Sequence, residues 1–255
     1  MSKLRLRDVS VTYEGARGAT QALSHFDLSV ESGQAVAVLG PSGCGKSTSL
    51  LLACGLLKPT SGEILIDGGP IAKPRLETAL ILQDFGLLPW KTVEQNAGLG
   101  AQIRHMKAAE RKRRVASALE RVGLQDFAKA YPAELSGGMR QRLAMARALT
   151  CDIDLLLMDE PLSALDSLLR EEMQSMLKTC WANQGYAQVL VTHSIEEAVF
   201  LGERIVVVSP RPGHVVFSLD NPEMKADGWR DDPLFFERCK LLREALGKGG
   251  DDHAA

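Results

Sequence analysis

The stretch Gly40-Pro41-Ser42-Gly43-Cys44-Gly45-Lys46-Ser47 restricts what this chain can fold into more than any other. It follows the short apolar run Ala35–Leu39 and leads into an apolar-rich segment that opens at Lys46. A run of this kind bounded by glycines suits a buried parallel strand. Glycines let the backbone curl with no side chain in the way, so several N–H groups can converge on one phosphate. The start of the following helix adds its own free N–H groups and the positive end of its dipole. Lys46 can reach outer phosphates, and the Ser47 hydroxyl can ligate Mg²⁺. The pattern G-x-x-x-x-G-K-S/T is complete, in the strand, loop and helix order that gives it meaning.

The 255 residues can bury a sizeable core as one large domain or two smaller ones. A formal charge of −2 gives no reason to expect a nucleic-acid partner. Five cysteines without paired spacing point to a reducing compartment, not to a disulfide framework or zinc cluster. Cys54, Cys151, Cys180 and Cys239 read as small core residues. The N-terminus has no apolar segment followed by a cleavage site, so a secretory signal is not expected. No apolar run reaches bilayer length, so membrane work would need a partner.

Leu4–Tyr13 alternates like a half-exposed strand, Glu14–Thr20 reads as a loop, and Ser24–Val30 as a second strand. Tyr13 is open to two readings, a plain strand aromatic or a ring stacked on adenine. Glu63–Asp67 and Thr78–Leu82 read as strands, the latter ending at Gln83. That glutamine could be an ordinary surface residue or could hold a metal-bound water. Phe85-Gly86-Leu87-Leu88-Pro89-Trp90 is unusually apolar for a connection, as a packed loop or a partner surface would be. From Val93 to about Leu149 the texture is helical. The basic run Arg111–Arg114 has acidic neighbours and no interleaved aromatics, which favours a solvated helix face.

Leu135-Ser136-Gly137-Gly138-Met139-Arg140-Gln141 precedes a helix that Ser136 can cap. Capping explains Ser136 and one glycine, and close approach of a ligand or second chain would explain both. Asp154–Met158 runs as an apolar strand into Asp159 and Glu160, two adjacent carboxylates that packing alone does not explain. Asp159 can hold Mg²⁺ and Glu160 can orient or deprotonate water. Ser163–Asp166 leads into a helix to about Trp181, and His193 ends the strand Gln188–Thr192. Glu196 and Glu197 open the next helix, where they suit its dipole. Strands follow at Glu203–Ser209 and His214–Leu219, then a helix at Phe235–Leu246 and a frayed tail over Gly247–Ala255.

In this order the motifs resemble the ATP-binding subunit of ATP-binding-cassette (ABC) transporters, from about Leu4 to Leu219. Gly40–Ser47 looks like the family's Walker A loop and Asp154–Glu160 like its Walker B strand with the catalytic glutamate. Leu135–Gln141 looks like the signature, Ser163–Asp166 like the D-loop, Gln83 like the Q-loop glutamine and His193 like the switch histidine. Tyr13 falls where the family places its adenine-stacking aromatic. Met139 departs from the glutamine usual at that place but leaves Ser136, Gly137 and Gly138 intact.

The resemblance implies an α/β fold, a P-loop nucleotide-binding domain with a mixed, largely parallel core sheet and an antiparallel N-terminal sheet. The domain would span residues 1–220, with a helical subdomain inserted at about 89–150, and 221–255 would form a short helical extension. The implied ligands are ATP and Mg²⁺. Nucleotide contacts would come from Tyr13, Gly40, Pro41, Ser42, Gly43, Cys44, Gly45, Lys46, Ser47 and Thr48, and from Ser136, Gly137 and Gly138. Ser47, Gln83 and Asp159 would serve the metal, and Glu160, His193, Gln83 and Lys46 catalysis. Two copies would meet head to tail around ATP, with Ser136 and Gly138 of one facing Lys46, Ser47, Asp159 and Glu160 of the other. The wording at Phe85–Trp90, at Ser136–Arg142 and at Ser209–Gly213 resembles the nitrate, sulfonate and taurine import branch. That implies membrane permease subunits, a periplasmic or surface solute-binding protein and a place on the cytoplasmic face of the inner membrane. Cassettes for thiamine precursors share much of the wording, and non-transport and exporter cassettes are the other readings.

Overall fold

The computed structural model describes residues 2–15 and 18–251. Two sheets form. β1 (Ser2–Gly15), β2 (Gly18–Glu31), β4 (Ser61–Ile66) and β5 (Gly69–Pro70) make an antiparallel sheet in the order β2-β1-β4-β5. The strands β3 (Ala35–Leu39), β6 (Thr78–Ile81), β7 (Leu155–Asp159), β8 (Ala187–Thr192), β9 (Arg204–Val208) and β10 (Val215–Asp220) make the second. Its order is β10-β9-β3-β8-β7-β6, parallel except for β10.

β3, β7 and β8 are buried at every residue. Their alternate side chains serve two cores, as the two-residue period of a strand requires. Val36, Val38, Leu155, Leu157, Val189 and Val191 pack with α1 (Lys46–Ala53) and the antiparallel sheet. Ala35, Ala37, Leu39, Leu156, Met158 and Leu190 pack with helices on the other side. Those helices include α5 (Gly137–Leu149), α6 (Ser167–Gln184), α7 (Ile195–Leu201) and α8 (Pro233–Asp251). Between β6 and β7 the chain forms α2 (Val93–Ala97), α3 (Leu99–Ile103), α4 (Ala108–Arg121) and α5.

Two sequence expectations change, and one segment that the sequence left without an assigned element is placed. The first hairpin is longer than the loop at Glu14–Thr20 implied, since Glu14 pairs with Ala19 and Gly15 with Gly18. Residues 16 and 17 lie outside the described residues. The C-terminal helix runs on through Asp251, past the point where fraying was expected at Gly247, and residues 252–255 lie outside the description. Finally, the segment after Asn221 is anchored: Met224, Trp229, Phe235, Cys239 and Leu242 are buried in the same core as α7. All five cysteines are buried and free.

The two sheets are tied by ions as well as by packing. Lys3 of β1, buried, donates to Asp67 and to Asp154 at 2.7 Å each, and Arg75 grips Asp154 at 2.8 and 3.2 Å. Burial alone would push the Asp154 carboxyl up, but hydrogen bonds from Arg75 and Lys3 outweigh it and hold it below the usual carboxylate range. A depressed carboxylate stabilises the fold above its unfolded pKa of about 4, and that contribution is lost as pH falls through the folded value. Asp154→Asn should therefore cost about 1–2 kcal/mol at pH 7, after allowance for screening at a half-exposed group. The difference in unfolding free energy between parent and variant, followed by urea titration, should shrink below pH 4. A constant difference down to pH 3 would remove the ion pairs as its cause.

Candidate active site

The glycine loop leaves the C-terminal end of β3, the place where a parallel sheet presents its ligands. Gly43 (φ +78°) and Gly45 (φ +100°) hold left-handed backbone. A Cβ at Gly45 would stand 2.6 Å from Leu23 Cδ2 and 2.7 Å from the Ala22 carbonyl, so packing against β2 also requires glycine there. A Cβ at Gly43 would meet nothing within 4 Å and would stand in the open hollow of the loop. Gly40 packs close against Cys44 and Val208, while Pro41 and Ser42 are exposed. Lys46 lies over this loop, only 6% exposed, its Nζ donating to the Gly40 and Pro41 carbonyls at 2.8 Å each. Cys44 is buried behind it. Thr48, in the first turn of α1, is 3.2 Å from the Tyr13 hydroxyl, which sets the half-exposed ring beside the helix start.

Across from the loop, β7 delivers its two carboxylates to different surroundings. Burial pushes the Asp159 carboxyl up, a hydrogen bond with Ser47 opposes this, and the neighbouring Glu160 charge adds to it. The next residue turns away with a left-handed backbone (Glu160, φ +47°). Its amide donates to the Val191 carbonyl at 2.9 Å, and its carboxylate meets His193 Nδ1 at 2.9 Å. The β7–β8 pairing, which sets Asp159 against Val191, brings that histidine within reach. Gln83 stands exposed just beyond β6, whose Ile81 pairs with Met158. No hydrogen bond to its side chain occurs among the described residues. Lys46, Ser47, Asp159, Glu160 and His193 are thus gathered at the ends of three adjoining strands, with Gln83 at the fourth.

This arrangement suits a nucleotide polyphosphate carrying Mg²⁺. The space at Gly43 is open and no side chain caps the start of α1, while Ser47 with Asp159 presents the hard oxygen donors that Mg²⁺ takes beside phosphate oxygens and water. Among the described residues no trio of His, Cys, Asp and Glu is set to hold a metal by itself.

The signature lies elsewhere on the surface. Ser136 caps α5 by accepting from Met139 N at 3.3 Å and remains exposed. A Cβ at Gly138 would approach Leu165 Cδ2 to 3.1 Å, whereas Gly137 has open space around it. The second glycine thus serves close packing of Ser163–Asp166 on the signature. Among the described residues no hydrogen bond links Ser136, Gly137 or Gly138 to the glycine loop of the same chain. Met139 packs on the core.

Four polar residues have partners that the sequence reading did not assign. Gln141, 1% exposed, donates to the Glu160 carbonyl at 3.2 Å and accepts from Ala164 N at 3.1 Å. Arg147 donates to the carbonyls of Phe85 and Gly86 at 2.7 and 2.6 Å. Asn96, fully buried, bonds Leu88, Lys91 and Thr92 and shapes the loop that leaves Trp90 70% exposed. Glu197, read as a first-turn acid that suits the helix dipole, is buried and bonded to Thr192, the neighbour of His193. Burial pushes its carboxyl up to about 7, opposed by its hydrogen bond with Thr192. The sequence carried one signal for it, an acid inside the apolar run Glu197–Leu201.

Fold and loops together define an α/β protein of the P-loop nucleotide-binding class. A family model described as ABC transporter matches residues 23–163. The chain belongs to the ABC transporter family. It is 44% identical over 253 residues to the taurine import ATP-binding protein TauB of Burkholderia pseudomallei (strain 1710b), covering 96% of this chain and 97% of that protein. The protein of the same name from Pelagibacter ubique is 42% identical, with 89% and 87% covered. Among solved structures, the dimeric bacterial ABC transporter cassette MJ0796 superposes with a TM-score of 0.79 at 33% identity, covering 85% of this chain and 98% of that one. The same cassette is also known as a dimer in a post-hydrolysis state bound to ADP and Pi, with the same score.

Gly43→Ala tests the hollow. The strained backbone should cost about 1–2 kcal/mol of stability, while ATP affinity by calorimetry should fall at least tenfold, about 1.4 kcal/mol. Affinity within twofold of the parent would move the phosphates away from this loop.

Proposed function

We propose that this chain is the ATP-hydrolysing subunit that powers import of a small anion of the taurine and sulfonate type through a separate membrane permease. The pairing of Glu160 with His193, opposite Lys46 and Ser47, is the observation that carries hydrolysis. The cargo class rests on relatives named for taurine import that match nearly end to end. Thiamine-precursor, exporter and non-transport readings have no comparable support.

Backbone N–H groups from Gly43 to Ser47 would hold the phosphates, with Lys46 leaving its loop carbonyls to reach the outer oxygens. Mg²⁺ held by Ser47 and Asp159 would neutralise charge on the phosphates. Glu160 would accept the proton of the attacking water as its oxygen bonds to the γ-phosphorus and the bond to the ADP oxygen breaks. His193 fixes the carboxylate and, with Gln83, would contact the γ-phosphate. Tyr13, held by Thr48, would stack on adenine. The partner copy's signature would complete the site, which is why Ser136 is exposed and unconnected to its own loop. The active form is a head-to-tail ATP dimer attached to the cytoplasmic face of the inner membrane through the permease, with a solute-binding protein on the far side. In the domain division proposed here, residues 1–220 form the cassette, 89–150 its helical subdomain and 221–255 an extension docked on the core.

Glu160→Gln keeps the shape but removes the proton acceptor, so turnover should fall about 10²–10⁴-fold with ATP still bound. Dimers should then accumulate on size exclusion with Mg²⁺-free ATP, and adding Ser136→Arg should abolish them. Normal turnover by a monomeric Glu160→Gln protein would remove both the glutamate's role and the dimer.

Trp90 is presented outward and so reads as a permease contact, not a core residue. Trp90→Ala should leave the thermal midpoint of the cassette unchanged and lower permease affinity at least about thirtyfold, the size of an interface hot spot. Undiminished assembly would return Trp90 to a bystander.

A further inference from the structure

The basic helix α4 carries a row of side chains that the nucleotide site does not use. Arg113, Ser117 and Arg121 recur every fourth residue, so they share one face, with the two arginines about 12 Å apart along the axis. The row borders a cavity of about 560 Å³ whose lining also includes Arg114, Asp152 and Gln184. Asp152 lies just ahead of β7, and Gln184 ends α6 just ahead of β8. The cavity therefore sits at the N-terminal end of the parallel strands, the opposite end from the glycine loop. Charge around it is unbalanced. Arg114 is committed, to Glu110 at 2.7 and 3.0 Å and to Asp152 at 2.6 Å. The Arg113 side chain forms no hydrogen bond or ion pair among the described residues, and that of Arg121 meets only the Cys180 thiol, at 3.8 Å. A chain of net charge −2 has acids to spare, yet it sets none against either of these arginines. The side chains of Ser117 and Gln184 likewise have no hydrogen bond among the described residues.

We propose that this cavity is a second anion site, separate from the glycine loop, which takes a soluble small molecule bearing two phosphate groups. Each unpaired guanidinium can fork onto one phosphate, the geometry in which arginine binds such oxyanions best. The Ser117 hydroxyl, between the two arginines, and the Gln184 amide, across the cavity, supply neutral donors. Asp152 does not oppose the anion, because Arg114 already neutralises it. A single sulfonate or chloride would satisfy one fork and leave the other idle, so a diphosphate fits the row better. Bound there, it would clip α4, which belongs to the helices inserted between β6 and β7, to the base of the core at Gln184. The site does not depend on the transport function proposed above.

Pyrophosphate is the probe, titrated by calorimetry into the nucleotide-free full chain at matched ionic strength, so that general screening is constant. The parent should show two sites, one at the glycine loop and one at the α4 row. Lys46→Ala should retain the row site, the Arg113→Gln/Arg121→Gln double variant should retain the loop site, and the three changes together should leave none. In the Lys46→Ala background, Arg113→Gln or Arg121→Gln alone should weaken the row site about tenfold, the size of one charge-assisted bond. Arg111→Gln with Lys112→Gln removes the same charge from the opposite side of α4, where these residues line a different cavity, and should leave the affinity within twofold. Pyrophosphate should raise the thermal midpoint of Lys46→Ala and not that of the triple variant. No binding to Lys46→Ala would overturn the proposal, as would an equal loss in the Arg111→Gln/Lys112→Gln control, which would reduce the site to general charge attraction. Phosphatidylglycerol vesicles, which present single phosphates on lipid, should not be retained. Retention that the double variant abolishes would assign the row to a membrane surface and overturn the soluble ligand. Failure of the nucleotide site reads differently, as a parent that shows the row site alone.

Discussion

A parallel sheet covered on both faces has only its strand ends left for chemistry, and the site depends on that constraint. β3, β7 and β8 are buried throughout, so apart from Asp159 at the last position of β7 no side chain within them is offered to a ligand. What remains is the set of loops at their C-terminal ends, where backbone N–H groups and the first side chains beyond the ladder face outward. The order β3-β8-β7-β6 places the glycine loop, His193, the two carboxylates and Gln83 side by side. Glycine at positions 43 and 45 is the backbone side of the same constraint, because the chain must reverse sharply between strand and helix without filling the hollow.

Adjacent carboxylates differ here because their surroundings differ. Asp159 is buried against Ser47, a setting that disfavours its charge until a cation shares it. Glu160 turns out of the strand and is gripped by a histidine from the next strand. Beneath that histidine, Glu197 and Thr192 bond each other in the interior, and the Ser194 amide bonds Thr192 Oγ1 at 3.0 Å. His193 is thus mounted on a packed polar knot at the β8–α7 junction. Support of this kind would keep the carboxylate proposed to direct water in place.

The apolar connection Phe85–Trp90 resolves into two halves. Phe85 and Leu87 pack against the main core, while Trp90 stands in solvent on a loop that Asn96 locks from inside. A large aromatic held outward on a rigid loop has lost little mobility by being exposed, which favours its use as an interface anchor.

Much of this was legible in the sequence because it is imposed locally. Backbone that must curl around phosphate demands glycine, a doubly buried strand demands an apolar run, and a helix start demands a cap. Gly40–Ser47, Asp154–Glu160 and Ser136–Gly138 each state their requirement within a few residues. The second glycine of the signature did not, since its reason is Leu165 across a tertiary contact. The partners of Gln141, Arg147, Asn96 and Glu197 were not legible for the same cause. A long polar side chain shows no local preference for the carbonyl it will meet, and only packing of α5 and α2 against distant turns selected the partners. Whether Trp90 faced in or out, and that the last helix would dock on the core through Asp251, also waited on that packing. Local sequence fixes which backbone shapes and charges are available. Tertiary structure decides which of them share a neighbourhood, because burial and hydrogen-bond satisfaction are properties of assembled surfaces and not of segments.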